Sequence, residues 1–578
     1  MSERLSGVVS APAPDAASAH TRAAMHQTYL SDVISRRELA LTLGGLMLSL
    51  FLASLNQSIV NTAIPRIVSE LHGFEIYAWV TTSYMLTNTA VVPVIGKVGD
   101  IFGRKPILVG GTLYFLITTA LCGFAQDMTQ LIVLRGLQGI GGGVITATAF
   151  ATIAELLPPA QRARMSGLFT GVFSLSTVLG PLLGGYLTDN FSWRGVFYAS
   201  LPFGIIGLAV VWRAFPDVRR PRKRLPIDFA GALTIMIATV LLLLGLSFGG
   251  RQFAWTSAPI LGLFAATGLT LALFLWLESR ATDPVVPLAM FKNNIVAISV
   301  FGAGAQSIGV FGASLFIPLF VQGVVGTSAT ISGSVMAPMM LTMLVSSIFG
   351  GQLIARSGRC KPLLLIGLAT CAAGMILLST LGADAQYTVI VLYMIVIGLG
   401  SGLTGPTLTI AAQNASKPGE LGVVTALLQL ARSMGNTLGT AVFGTVLTLR
   451  FLPEMHASVP TELTARLDAA GLDSIRDPQA LLNPAAATAL RASLGQAFPD
   501  VPGAVDVVFL AIRTGLAGSL HWVFLGAALV LASALLASLF MHEIPLRGRG
   551  SPSSGDRRPA DEAQSPGEAE PRLVAKPA

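Results

Sequence analysis

Charge is what this sequence has least of. Only 11% of its 578 residues are Asp, Glu, Lys or Arg, against about 25% in soluble globular chains. With 53% hydrophobic residues and a mean hydropathy of +0.70, the chain would have to bury more apolar surface in water than single domains manage. Lipid solvates such surface directly on the outside of a helix bundle, so composition alone says membrane. The three cysteines, Cys122, Cys360 and Cys371, are odd in number and widely spaced, which speaks against a disulfide framework and against a zinc site. Neither an HExxH nor a GxxxxGK(S/T) string occurs, so an intramembrane enzyme is not the expected reading, and no metal or cofactor is expected. The net charge of +8 is scattered over short breaks between apolar stretches. A polyanion site would gather it on one face, so nucleic acid is not expected as a partner.

What the sequence does have is a recurring apolar window. A bilayer core takes roughly 20 apolar residues per helix, and fourteen such windows follow one another, the first at 39–62 and the last at 518–541. The expected architecture is an all-α polytopic membrane protein. Its segments are an N-terminal stretch 1–38, a six-helix half 39–213, a basic linker with two extra helices 214–280, a second six-helix half 281–542 and a tail 543–578. Residues 1–38 lack the apolar core and cleavage site of a signal peptide. The tail is rich in Pro, Gly, Ser and mixed charge, the composition of disorder. A long connection, 451–517, breaks the run of short loops, and its stretch ELTARLDAAGL (462–472) has helical spacing. Lys and Arg collect on alternate loops: Arg36, Arg37, Lys97, Arg104, Lys105, Arg162, Arg164, the run VRRPRKR (218–224), Arg356, Arg359 and Lys361. The opposite short loops hold Arg66, Arg194 and Arg251. The positive-inside rule then puts both termini in the cytoplasm of a cell, inner or plasma, membrane.

Two loops carry a paired motif, GKVGDIFGRK at 96–105 and GQLIARSGRC at 351–360. Gly96 and Gly103 in the first, and Gly351 and Gly358 in the second, share one spacing, and each copy ends in Gly-Arg. Finding it after the second window and again after the tenth implies an internal parallel repeat. The first copy, with Asp100, Arg104 and Lys105, resembles the loop motif of the major facilitator superfamily, in particular its fourteen-span drug:proton antiporter (multidrug efflux) branch. LIVLRGLQGIGGG (131–143), with Arg135, is similar to that family's fourth-span pattern, and STVLGPLLGG (176–185) is similar to its antiporter signature at Gly180, Pro181, Gly184 and Gly185. The resemblance covers 39–541. It implies a major facilitator fold with fourteen transmembrane helices and alternating access between two halves, with the 96–105 and 351–360 motifs, Arg359 included, acting as gates. Pro181 removes a backbone donor where a helix can bend.

LNQSIVNTAIP (55–65) departs from the pattern, because Asn56 stands where the family has aspartate. An amide does not titrate, so proton coupling at this position is not implied. No other acid lies at mid-window; Glu38, Asp100, Glu155, Asp228 and Glu278 are all near window ends. His521 is expected at an outer interface. Arg135 either faces a cavity or snorkels to the interface. Arg432 likewise lacks an acid at equal depth. The expected substrate or coupling set is Asn56, Gln57, Asn61, Arg135, Gln138 and Arg432. Met336, Met339, Met340 and Met343 cluster around Pro338, suited either to a pliable binding surface or to ordinary packing. The reading is a monomeric exporter of amphipathic small molecules, with protons as coupling ion left open. Its alternatives are a facilitator or importer of an organic anion, which arginines without acids would favour, and a non-transporting receptor.

Overall fold

The computed structural model describes residues 35–71, 76, 78–215, 228–250, 252–281, 284–327, 329–382, 384–417, 420–458, 488, 491–492, 494 and 504–545. The run VRRPRKR, the stretch 462–472 and most of the terminal segments lie outside the described residues. We number the long helical segments α1 (Arg36–Leu71), α2 (Ala78–Phe102), α3 (Arg104–Gly123), α4 (Met128–Leu156), α5 (Pro159–Asn190) and α6 (Trp193–Ala214, in two pieces). Then come α7 (Phe229–Phe248) and α8 (Ala258–Arg280), followed by α9 (Asn294–Val324), α10 (Ala329–Ser357), α11 (Lys361–Ser379), α12 (Tyr387–Ala415), α13 (Leu421–His456) and α14 (Ala504–Leu539). No strand occurs among the described residues; one isolated bridge joins Gly249 and Phe253.

These windows become helices because a helix satisfies every backbone donor within itself, as lipid demands. Three of the N-termini are capped by short polar side chains as follows: Asp127 accepts from the Gln130 amide at 2.7 Å, Asp228 from Gly231 at 2.7 Å and Asn293 from Ile295 at 3.0 Å. Among the described residues, eleven segments are long and apolar enough to cross a membrane. In α4, 83% of the most apolar window is buried against protein, but only 17% in α8, so α4 is central and α8 peripheral.

The packing repeats. In the first half α2 lies on α4, α4 on α3, and α1 on α5 and α6; in the second half α10 lies on α12, α12 on α11, and α9 on α13 and α14. Across the seam the partners exchange, α2 against α13 and α5 against α10. That is the pattern of a two-fold axis relating parallel repeats. The extra pair α7 and α8 pack on one another, with α7 resting against α2 and α13.

The close crossings repeat as well. A Cβ on Gly139 or Gly143 of α4 would collide with the Tyr84 or Asn88 carbonyl of α2, and one on Gly398 or Gly402 of α12 with the Met339 or Met343 carbonyl of α10. Gly180 and Gly184 of α5 meet Ser58 and Thr62 of α1 as Gly435 and Gly439 of α13 meet the carbonyls of Gly304 and Ile308. Small residues four apart let backbones touch where no hydrophobic effect drives helices together. The halves also differ: α1 is continuous, whereas α9 contains π-helical turns at Ser307–Phe311 and Phe320–Val324.

Several boundaries move. Helix α13 continues through Pro453 to His456 and α14 begins at Ala504, so the long connection is shorter than 451–517 at both ends. The apolar faces there continue past the windows: Phe451, Met455, Val508 and Ile512 are buried. The 96–105 motif is mostly helix rather than loop. Gly96 and Asp100 lie inside α2, and Gly103 alone separates α2 from α3.

Candidate substrate cavity and gate

Helix α1 carries Ser54, Gln57, Ser58 and Asn61 on one face, at i, i+3, i+4 and i+7. Helix α13 carries Gln429, Ser433, Asn436 and Thr437 in the same manner. The fold turns these stripes toward each other across the seam. With Tyr84, Met85, Asn88 and Thr89 of α2, Thr146 of α4 and Ala53, they line a cavity of about 340 Å³. Its walls come from both halves. Of the expected residues, Gln57 and Asn61 line it; Asn56, Arg135, Gln138 and Arg432 are not among its described lining residues.

Asn56, Arg135 and Gln138 instead meet one another in the wall, each with 0% exposure. Asn56 Oδ1 accepts from Arg135 Nη1 at 3.1 Å and from Gln138 Nε2 at 3.2 Å. Arg135 Nη1 also donates to Gln138 Oε1, and Nε donates to the Val80 carbonyl at 3.2 Å. Gln138 Nε2 donates to Thr119 Oγ1 at 2.6 Å. The guanidinium stacks 4.3 Å over the Tyr84 ring, and Tyr84 lines the cavity. Arg135 therefore does not snorkel: it sits two turns inside α4 and is held by amides, a carbonyl and a ring. Arg432 Nη2 reaches away to α12, donating to the Gly405 carbonyl at 2.9 Å and to Thr409 Oγ1 at 2.8 Å. Neither guanidinium is among the described lining residues, and Arg135 Nη2 is buried without a hydrogen-bond partner among the described residues.

The motif at 96–105 is built around Arg104. Its side chain, 4% exposed, folds back under α2, with Nη2 at 3.0 Å from Glu155 Oε1 and Nη1 donating to the Gly96 carbonyl at 3.2 Å. Gly103 stands at φ 89 and ψ 154, a region open to glycine, and Gly358 in the second copy at φ 73. Gly96 lies against α13, where an added Cβ would stand 2.9 Å from Ala426 Cβ. Asp100 is in the helix, but its side chain lies outside the described residues, as does that of Pro181. Lys105 is half-buried, Gly351 buried and Arg359 exposed. Gly180 and Gly184 bring α5 onto α1 beside Gln57, whereas Gly185 faces open space. His521 Nδ1 lies 2.7 Å from the Ser379 carbonyl, at the end of α11. Met339 and Met343 touch Ser314 and Ser401 hydroxyls, and neither is among the cavity's described lining residues. Sequence reasoning passed over the cavity's hydroxyls and the amides Asn88, Gln429 and Asn436. The helical spacing of polar residues within apolar windows was the signal that finds them.

A family model described as Major Facilitator Superfamily matches residues 46–440. The chain belongs to that superfamily. This superfamily member is 37% identical over 544 residues to Multidrug transporter protein MdtP of Bacillus subtilis (strain 168), covering 92% of this chain and 97% of that protein. It is 35% identical over 497 residues to Multidrug resistance protein 3 of the same organism, covering 86% and 94%. Among solved structures, the human organic anion transporter MFSD10 (TETRAN) is similar in fold, with a TM-score of 0.54 at 14% identity over 85% of this chain and 99% of that one. The family and fold expected from the motifs are those the comparisons show, and the chain is a multi-pass membrane transporter rather than an enzyme.

Proposed function

We propose that this chain is a monomeric exporter of amphipathic small molecules in a cell membrane, with fourteen spans and both termini cytoplasmic. The observation that carries the reading is the cavity whose walls come from α1, α2 and α4 on one side of the seam and α13 on the other. A site shared between two rocking halves is what alternating access requires. The named multidrug relatives support a drug-like cargo and outward direction. The Lys and Arg bias of the loops supports the orientation. On this reading Arg104, Glu155 and Gly96 hold the cytoplasmic end of the first half against α13, and Asn56, Arg135 and Gln138 brace the cavity wall.

Proton coupling does not run through Asn56, since its amide oxygen already accepts from Arg135 and Gln138 and an amide does not titrate. The test is efflux from proteoliposomes of a dye panel with cationic, neutral and anionic members, with and without an imposed pH gradient, wild type beside Asn56→Asp. The expected result is that wild type moves dye down its gradient, and that Asn56→Asp gains accumulation driven by the pH gradient. A wild-type protein that moves no dye in either direction refutes the transport reading.

A further inference from the structure

The chemistry of the cavity is narrower than its size implies. Among its described lining residues twelve are polar and none is Asp, Glu, Lys, Arg or His; only Ala53 and Met85 are apolar. Five of the twelve are amides, Gln57, Asn61 and Asn88 from the first half and Gln429 and Asn436 from the second. Each amide offers two donors and an acceptor, and each hydroxyl one donor and two lone pairs. A wall of this kind can replace the water around a group that both donates and accepts. It offers no counter-ion to a charged one.

Two cations stand behind the wall. Arg135 is stacked on the lining residue Tyr84, and Arg432 lies on α13 between the lining residues Gln429 and Ser433 with its head turned to α12. Neither forms an ion pair among the described residues; the groups that hold Arg135 are neutral. Their field makes the cavity unfavourable to a lipophilic cation. Neither guanidinium is among the described lining residues, so an anion in the cavity would be desolvated without a direct cation to receive it. About 340 Å³ is at the small end of ligand sites, enough for one sugar-sized polar head with an apolar part reaching along the seam.

We infer that the substrates of this site are uncharged molecules rich in hydroxyl or amide groups, of the glycoside or polyol class, rather than cationic or anionic drugs. This rests on the transport reading above, because it assigns a cargo to the same cavity.

The experiment uses the full chain in nanodiscs and three probes: 4-methylumbelliferyl β-D-glucoside, the matching glucuronide, which differs by one carboxylate, and tetraphenylphosphonium. Equilibrium binding is measured for each, and counterflow is measured in proteoliposomes. The glucoside is expected to bind at least about tenfold more tightly than either charged probe. Asn88→Leu in one half and Gln429→Leu in the other are each expected to weaken it about five- to thirtyfold without weakening tetraphenylphosphonium. The wild-type comparison of probes needs no variant to fold, and two variants in separate halves guard against loss of one. Tighter binding of tetraphenylphosphonium or of the glucuronide than of the glucoside overturns the inference, even if counterflow is brisk. Glucoside binding in the expected order without counterflow of any probe leaves the assigned class standing and overturns transport instead.

Discussion

Replacing Asn56 by Leu removes the one acceptor shared by Arg135 and Gln138. All three residues have 0% exposure, so no water takes the place of the lost oxygen. The bond from Arg135 Nη1, 3.1 Å long, is charge-assisted, and such bonds contribute about 1.5–3 kcal/mol. The 3.2 Å bond from Gln138 joins neutral groups on neighbouring helices, worth about 0.6 kcal/mol in a membrane protein, where the unfolded chain also finds partners. The charged bond dominates, and the expected loss is about 2–3 kcal/mol. Arg135 keeps the Val80 carbonyl and Gln138 Oε1, which sets a ceiling short of leaving the cation bare. If the penalty comes from the cation, it vanishes when the cation does: in an Arg135→Met background, Asn56→Leu should cost less than about 1 kcal/mol. SDS-titrated unfolding in mixed micelles of wild type, both single variants and the double variant closes the cycle. Equal penalties in the two backgrounds would refute the argument, because Asn56 would then act by packing and not by holding the guanidinium.

Gly96→Val puts a branched side chain against α13, where even a Cβ stands 2.9 Å from Ala426 Cβ and 3.1 Å from the Gly422 carbonyl; counterflow should fall about tenfold or more while ligand binding survives, a loss of about 1.4 kcal/mol or more in closing the seam. Gly103→Ala should cost about 1–3 kcal/mol, because φ 89 with ψ 154 is nearly closed to residues with a Cβ. Gly358→Ala, at φ 73, should cost about 1–2 kcal/mol, the usual penalty of the left-handed region; the same unfolding assay ranks the pair. All three cysteines are buried, and burial, with Glu543 nearby, pushes the Cys360 thiol up to about 12. Maleimide at pH 7 should therefore label the folded chain slowly, since the thiolate reacts, and should label three sites once SDS unfolds it. Mass spectrometry reads the count.

The fold was legible because membrane helices announce themselves by length and apolarity, and because GKVGDIFGRK and GQLIARSGRC mark the repeat. The contact between Asn56 and Arg135 was not legible. A sequence shows an intramembrane arginine and an amide but not that two residues 79 apart in the chain come to hydrogen-bonding distance. The depth of Arg135 was ambiguous for a related reason. Its window opens only shortly before it in sequence, and what decides its depth is the cover supplied by Asn56 of α1 and Val80 of α2, which leaves it with 0% exposure. The partner of Arg104 was hidden too, since Glu155 reads as a window-end acid until α4 and α3 are laid side by side. The polar stripes on α1 and α13 were readable as periodicity. What sequence left out was that the two stripes face each other.

The repeat survives where the backbone demands it and lapses where side-chain chemistry decides. Gly103 and Gly358 keep positive φ at the same point in both copies, because a chain that must leave one helix and enter the next within one to three residues has few ways to do so. The paired glycines of α4, α12 and α13 stand where a Cβ would meet a carbonyl of the facing helix, and those of α5 where it would meet Ser58 and Thr62 of α1. Against that shared frame, Arg104 is buried against Glu155 while Arg359 is exposed. Ala355 also leaves the second motif without the acid of the first. Arg135 is held by two amides and a ring, but Arg432 by a carbonyl and a hydroxyl. Two halves with equivalent backbones and unequal charges close a seam from which one side supplies the buried ion pair and the other supplies the helix, α13, that Gly96 packs against. Disturbing either Gly96 or Arg104 should therefore impair the same movement, though the two residues act through different contacts.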